Sequence, residues 1–227
     1  MIYLIPCPIS EDAIHTLSAE TNHVIRQCDV FFVENERSAR RFLKKVWKEI
    51  DIDSYQWFNT DQDDHKDRFR EKLKEGKNIA IISEAGCPGV ADPGQDLVAI
   101  AQEMNIPVHP LAGPSSILMA LMASGMNGQH FTFHGYLPID NNARVKTLKE
   151  IENDALRKNS CHIFIETPYR NNQMFQSITQ ICRNETRLCI AANISSAEES
   201  IKTMTVQQWK NNKPELHKKT VIFILGK

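Results

Sequence analysis

Three short segments concentrate residue types suited to binding and chemistry. Ser83-Glu84-Ala85-Gly86-Cys87-Pro88-Gly89-Val90-Ala91-Asp92-Pro93-Gly94 has three glycines and two prolines, beside carboxylates, a hydroxyl and a thiol. Glycine lets backbone approach a ligand closely, and proline fixes the shape of the loop that does so. Ala112-Gly113-Pro114-Ser115-Ser116 is a tight turn that feeds a helix, with two hydroxyls where a helix start leaves its amides free. Glu166-Thr167-Pro168-Tyr169-Arg170 places a carboxylate and a guanidinium four residues apart. Each segment follows a short apolar run that reads as a strand. In open α/β sheets, ligands bind beyond the carboxyl ends of strands.

Several chemistries lack their motifs. The chain has no G-x-x-x-x-G-K-[ST] loop, and its first apolar run leads into Pro6-Cys7-Pro8 instead of G-x-G-x-x-G. It contains neither a G-x-S-x-G elbow nor H-E-x-x-H. His130 and His134 have the spacing of one strand face, which is too little for a metal centre, so no metal is expected. The six cysteines include no C-x-x-C pair and read as reduced, small core residues of a cytoplasmic protein. The opening Met1–Ile5 run has no basic flank and reads as a strand. No apolar run is long enough to span a bilayer.

The elements that must position these segments alternate between strand and helix, which points to an α/β fold with buried, mostly parallel strands. Strands are expected at residues 2–5, 30–33, 54–58, 79–82 and 108–111. Helices are expected over 13–27, 38–50, 61–75 and 92–104. Thr60 and Asp63 are spaced as a capping box for the third helix, and Asp92 and Pro93 suit the cap and first turn of the fourth. Gly113-Pro114 breaks the pattern, so the expected domains are 1–112 and 113–227. The second half repeats the style with strands at 131–134, 162–165 and 188–192. It closes with strands at 200–205 and 220–225, so its sheet is expected to be mixed.

The helix over 38–50 carries a second chemical signal. Arg37, Arg40, Arg41, Lys44, Lys45 and Lys48 recur at helical spacing on one arc, opposite Ala39, Phe42, Leu43, Val46, Trp47 and Ile50. The net charge of the chain is only −1. A one-faced cationic stripe therefore reads either as a solvated face or as a contact for a nucleic-acid backbone, turned away from the three loops.

Six stretches in order carry a family resemblance. They are Tyr3-Leu4-Ile5-Pro6-Cys7-Pro8-Ile9, Ser83–Pro88, Asp92-Pro93-Gly94, Leu111–Ser116, Gly135-Tyr136-Leu137-Pro138 and Glu166–Arg170. The chain resembles the tetrapyrrole methylases, a class with two α/β domains and a cofactor cleft between them. Within the class it is most similar to the branch that methylates a ribose 2′-hydroxyl of a cytidine in small-subunit ribosomal RNA. It departs from that pattern at Ser10-Glu11, Glu34-Asn35-Glu36-Arg37, Glu84, Cys87, Ala192-Asn193-Ile194-Ser195-Ser196 and Lys218-Lys219, so that the cofactor side is mostly kept while the side that would face substrate has drifted.

The resemblance implies S-adenosylmethionine as cofactor, held by Ile9, Glu84, Gly86, Cys87, Ser115 and Ser116 from one side and Ile165, Glu166, Ala192 and Thr220 from the other. It implies a homodimer and, as partner, ribosomal RNA or the small ribosomal subunit. A ribose hydroxyl needs a base near the methyl group. Glu34 and Glu166 are candidates, with Arg37 or Arg170 orienting a phosphate. A porphyrin- or corrin-type methylase and a non-catalytic cofactor-binding protein are the competing readings.

Overall fold

The computed structural model describes all residues, Met1–Lys227, as two compact units, Met1–Ser115 and Ser116–Lys227. The first unit is built on a parallel sheet of β1 (Ile2–Ile5), β2 (Val30–Val33), β3 (Gln56–Asn59), β4 (Ile79–Ile82) and β5 (Val108–Pro110). Their order is β3-β2-β4-β1-β5. The runs Val-Phe-Phe-Val and Ile-Ala-Ile-Ile are buried at every position, because helices cover both faces of this sheet. One face packs Tyr3, Ile5, Phe31, Val33 and Ile82 against α1 (Glu20–Ile25) and α2 (Glu36–Val46). The other packs Ile2, Phe32, Ile79 and Ile81 against α3 (His65–Lys74) and α4 (Gln95–Glu103).

The second unit opens with α5 (Ser116–Ser124) and holds a mixed sheet, β6-β7-β10-β8-β9. Its strands are β6 (Phe131–Tyr136), β7 (Cys161–Ile165), β8 (Arg187–Ala192), β9 (Ser200–Thr205) and β10 (Val221–Gly226). β6 and β7 run parallel, whereas β10 is antiparallel to both β7 and β8. One face packs under α6 (Asn141–Lys158), α7 (Asn171–Ile181) and α8 (Val206–Asn211), and the other under α5. No helix is long and apolar enough to cross a membrane.

The elements occur where expected; α6 runs four residues past its expected end, and the four helix limits of the first unit differ, each for a local reason. The stretch 13–27 is split into a helical turn, Ile14–Thr16, and α1, because Leu17 is extended. α2 starts two residues early, since the Asn35 side chain accepts from the amides of Arg37 and Ser38 at 3.0 and 3.2 Å. It stops at Val46, and Trp47 turns out to lie under Arg26, 4.0 Å from the ring centre. α3 lacks the capping box: the Thr60 amide extends the strand pairing onto the Val33 carbonyl at 2.9 Å, and the helix begins at His65. α4 begins at Gln95, not Asp92, because Gly94 sits at φ +117°, which no helical turn passes through. Asp92 is thus free of a capping role.

Gly113 is required sterically. A Cβ placed there would overlap the ring carbons Cβ and Cγ of Pro6. Gly113→Ala is expected to destabilise the protein by about 1–3 kcal/mol, as overpacked sites do. Urea unfolding measures this, and Pro6→Gly in the same chain should recover part of the loss.

Candidate functional site

In the first unit, three strand-end loops are pinned to one another. Cys7 and Gly86 form an antiparallel bridge, N–H to carbonyl both ways at 2.8 and 3.0 Å, joining the loops after β1 and β4. Gly86 holds φ +73°, which suits glycine. The Cys87 thiol donates to the Pro114 carbonyl at 3.4 Å, which brings in the loop after β5. Burial and the Asp92 charge raise the Cys87 thiol, and burial with the charges of Asp92, Glu34 and Glu84 pushes Cys7 up to about 12. Both thiols are therefore held protonated, as packing groups and a donor instead of nucleophiles.

Carboxylates gather at the same loops. The Glu84 amide donates to Glu34 Oε2 at 3.1 Å, and the Ser38 hydroxyl donates to Glu84 Oε1 at 3.1 Å. Asp92 is half-buried beside them. Burial, then the charge of Glu34 and, more weakly, that of Glu84, push its carboxyl from 3.8 up to about 6, against the pull of the Ser83 hydroxyl. A carboxylate that exchanges its proton near neutrality is suited to general-base work. Local sequence rules place Asp92 at a helix cap; the signal against that cap is Gly94, two residues later, at φ +117°. Arg37 is exposed and its side chain makes no hydrogen bond or ion pair.

Ile9 and Glu84 line a cavity of about 150 Å³ with Cys7, Ser38, Arg41 and Lys45. This corrects the expected basic stripe, which neither faces away from the loops nor forms a free cationic array. Arg40 pairs with Glu36 at 2.8 Å and Asp53 at 2.7 Å. Arg41 and Lys45 flank Glu11 at 3.7 and 4.0 Å. Lys44 caps the Ile50 carbonyl, and Lys48 lies beyond the helix end. Glu36 is on α2 itself, four residues before Arg40, whereas Glu11 and Asp53 approach from outside the helix, so helical periodicity does not reveal them.

In the second unit, Ile165, Ala192 and Val221 lie at one end of the sheet: β10 pairs Ile222 with Ile165 and Val221 with Ala192. Thr220 precedes Val221, and its amide donates to Asn193 Oδ1 at 3.2 Å. Glu166, 7% exposed, follows Ile165. Its Oε1 accepts from Arg170 Nη2 at 2.6 Å, Arg170 Nε at 3.0 Å and the Thr167 amide at 2.7 Å. That oxygen is saturated by donors, so Glu166 and Arg170 anchor the turn into α7. Ser116 is the first residue of α5. Its hydroxyl and that of Ser115 have no protein partner, which leaves two donors and the open amides of a helix start. In this unit, the Ser116 hydroxyl and the open amides of the helix start fit the carboxylate of an amino-acid-like ligand such as S-adenosylmethionine.

No grouping of three or more histidine, cysteine or acidic side chains suits a metal ion. His134 pairs not with His130 but with His162, Nε2 to Nδ1 at 2.8 Å. Burial holds both imidazoles below their ordinary range.

The family model of tetrapyrrole (corrin/porphyrin) methylases matches residues 1–210. A *Vibrio cholerae* protein named ribosomal RNA small subunit methyltransferase I is 28% identical over 208 residues, 92% of this chain and 69% of the relative. A *Bacillus subtilis* protein of the same name is 32% identical over 182 residues, 80% of this chain and 59% of the relative. The chain thus spans 59–69% of these relatives' own length. Among solved structures, methyltransferase CobJ superposes with a TM-score of 0.65 at 15% identity, covering 99% of this chain and 93% of that one. Uroporphyrin-III-C-methyltransferase from *Thermus thermophilus* does so at 0.58 and 14%, covering 100% and 91%. At these identities the structural likeness shows the fold.

Proposed function

The chain belongs to the tetrapyrrole (corrin/porphyrin) methylase family and is an S-adenosylmethionine-dependent methyltransferase; from that premise we propose that its acceptor is a ribose 2′-hydroxyl of small-subunit ribosomal RNA. The observation that carries this reading is that the relatives matching along most of the chain bear the ribosomal RNA methyltransferase name. The tetrapyrrole enzymes resemble it only in fold.

S-adenosylmethionine supplies a methyl group already activated by its sulfonium. The chain has to bind, orient, exclude water and manage one proton. Ile9, Glu84, Gly86, Cys87 and Ser115 are the proposed cofactor contacts of the first unit. Ser116, Ile165, Glu166, Ala192 and Thr220 are those of the second. Asp92 is the proposed base, accepting the hydroxyl proton on its carboxylate, with Glu34 as the neighbouring charge that keeps it basic. Arg37, exposed and unpaired, is available to a phosphate, whereas Arg170 is committed to Glu166. The six free cysteines support a cytoplasmic setting. A homodimer is the assembly proposed, and light scattering at micromolar concentration tests it.

The reaction is tested by incubating the protein with radiolabelled S-adenosylmethionine and small ribosomal subunits from a strain lacking it, followed by nuclease digestion and mass spectrometry. One labelled 2′-O-methyl nucleoside per subunit is expected. Label that enters a porphyrin precursor but no RNA would overturn the acceptor assignment.

A further inference from the structure

Three of the six cations of the α2 stripe, Arg40, Arg41 and Lys45, are paired with carboxylates, yet an RNA substrate requires cations facing its phosphates. The second unit has a better candidate. Lys202 on β9, Lys210 on α8, and Lys213, Lys218 and Lys219 in the following loop are separated in sequence but adjacent in the fold. Two adjoining depressions, of about 750 and 520 Å³, share Lys213, Pro214 and Glu215 in their walls. The first also takes in Lys210, and the second Lys202 and Lys219. Four lysines and one carboxylate therefore line a continuous groove.

These lysines are free of ion pairs in a way Arg40, Arg41 and Lys45 are not. The ion pairs of this unit lie on α6, between Asp154 and His162, at Glu166–Arg170 and at Glu152–Arg183, and none involves the five lysines. Lys210 donates only to the neutral amide of Asn184, at 2.7 Å. The one acid in the groove, Glu215, accepts from the Asn172 side chain at 3.0 Å and the His217 amide at 2.8 Å, and its charge also feels Lys219 without an ion pair. The groove also ends at the proposed cofactor residues of this unit. Ala192 and Lys219 are both in its wall, and Thr220 is the next residue. The Lys218 amide donates to the Pro168 carbonyl at 2.9 Å, which fixes this basic turn to the loop after β7.

We propose that the groove between β9, α8 and the 212–219 loop binds the phosphodiester backbone of the RNA substrate and leads it to the strand ends of the second unit. This assignment rests on the RNA reading above. Phosphate contacts release condensed counterions, so they appear as salt dependence of binding. Each lysine on a phosphate of single-stranded RNA contributes about 0.7 to the slope of log affinity against log salt.

The test is a salt titration of the full chain binding to a small-subunit ribosomal RNA fragment and to intact small subunits. The proteins are wild type, Lys202→Gln/Lys213→Gln/Lys219→Gln, the same three positions changed to arginine, and Arg40→Gln/Arg41→Gln/Lys44→Gln/Lys45→Gln. The glutamine triple should bind more weakly, with a slope flatter by roughly 2. The arginine triple should match wild type, which separates charge from folding. The α2 variant should keep the wild-type slope. If wild type is salt-sensitive and the glutamine triple has the same slope, the groove assignment is wrong while the RNA reading stands. If wild type binds neither RNA probe, the RNA reading falls and the groove assignment falls with it.

Discussion

Replacing Asp92 by asparagine is expected to lower the rate of methyl transfer about 10²- to 10⁴-fold, the range of a lost general base, while S-adenosylmethionine affinity is retained. Asp92 titrates at about 6, raised by burial and by Glu34 and Glu84. A base works deprotonated, so kcat/KM of the wild type should climb with pH through about 6 and level off above it. Asp92→Asn should lose that limb. Glu34→Gln removes a charge that raises Asp92, so the limb should move to lower pH with much of the rate kept. A pH–rate series on the three proteins checks this. An Asp92→Asn enzyme with wild-type turnover would assign proton removal to another group.

Filling the start of α5 should have an equally large effect on binding. Calorimetry is expected to show one S-adenosylmethionine per wild-type chain. Ser116→Trp should weaken binding by about 100-fold or more, roughly 2.7 kcal/mol, because an indole takes the place of the free hydroxyl. Serine and tryptophan have similar helix propensity, so the thermal midpoint should change little. Undiminished binding by a folded variant would remove Ser116 from the cofactor contacts.

What the sequence reveals here follows from the range over which each signal acts. Val-Phe-Phe-Val and Ile-Ala-Ile-Ile announce buried parallel strands because both faces of that sheet are covered. The polar, antiparallel β9 and the closing apolar β10 likewise announce a mixed second sheet. The glycine- and proline-rich strand ends also stood out, since loop chemistry is local. Non-local charge did not. Glu11 and Asp53 neutralise α2 from turns before and after it, and nothing in the helix spacing reports their approach. Lys202, Lys213 and Lys219 converge from a strand and a loop, so no linear pattern marks them. Asp92 was hidden differently: its cap-like position before Pro93 is a sound local rule, overridden by the positive φ of Gly94.

The strand orders carry a kinetic consequence. In each unit an interior strand comes from a distant part of the sequence. β1 pairs Ile2 with Ile79 on one side and Val108 on the other, and β10 lies between β7 and β8. Neither sheet can assemble by successive local hairpins, so each unit must close long loops before its core rewards them, a topology that folds slowly. Until Val221–Gly226 docks, the runs Cys161–Ile165 and Arg187–Ala192, buried along most of their length in the finished sheet, present bare apolar edges. Such edges recruit other chains. A refolding protein should therefore be most prone to aggregate in the interval before this last strand takes its central place.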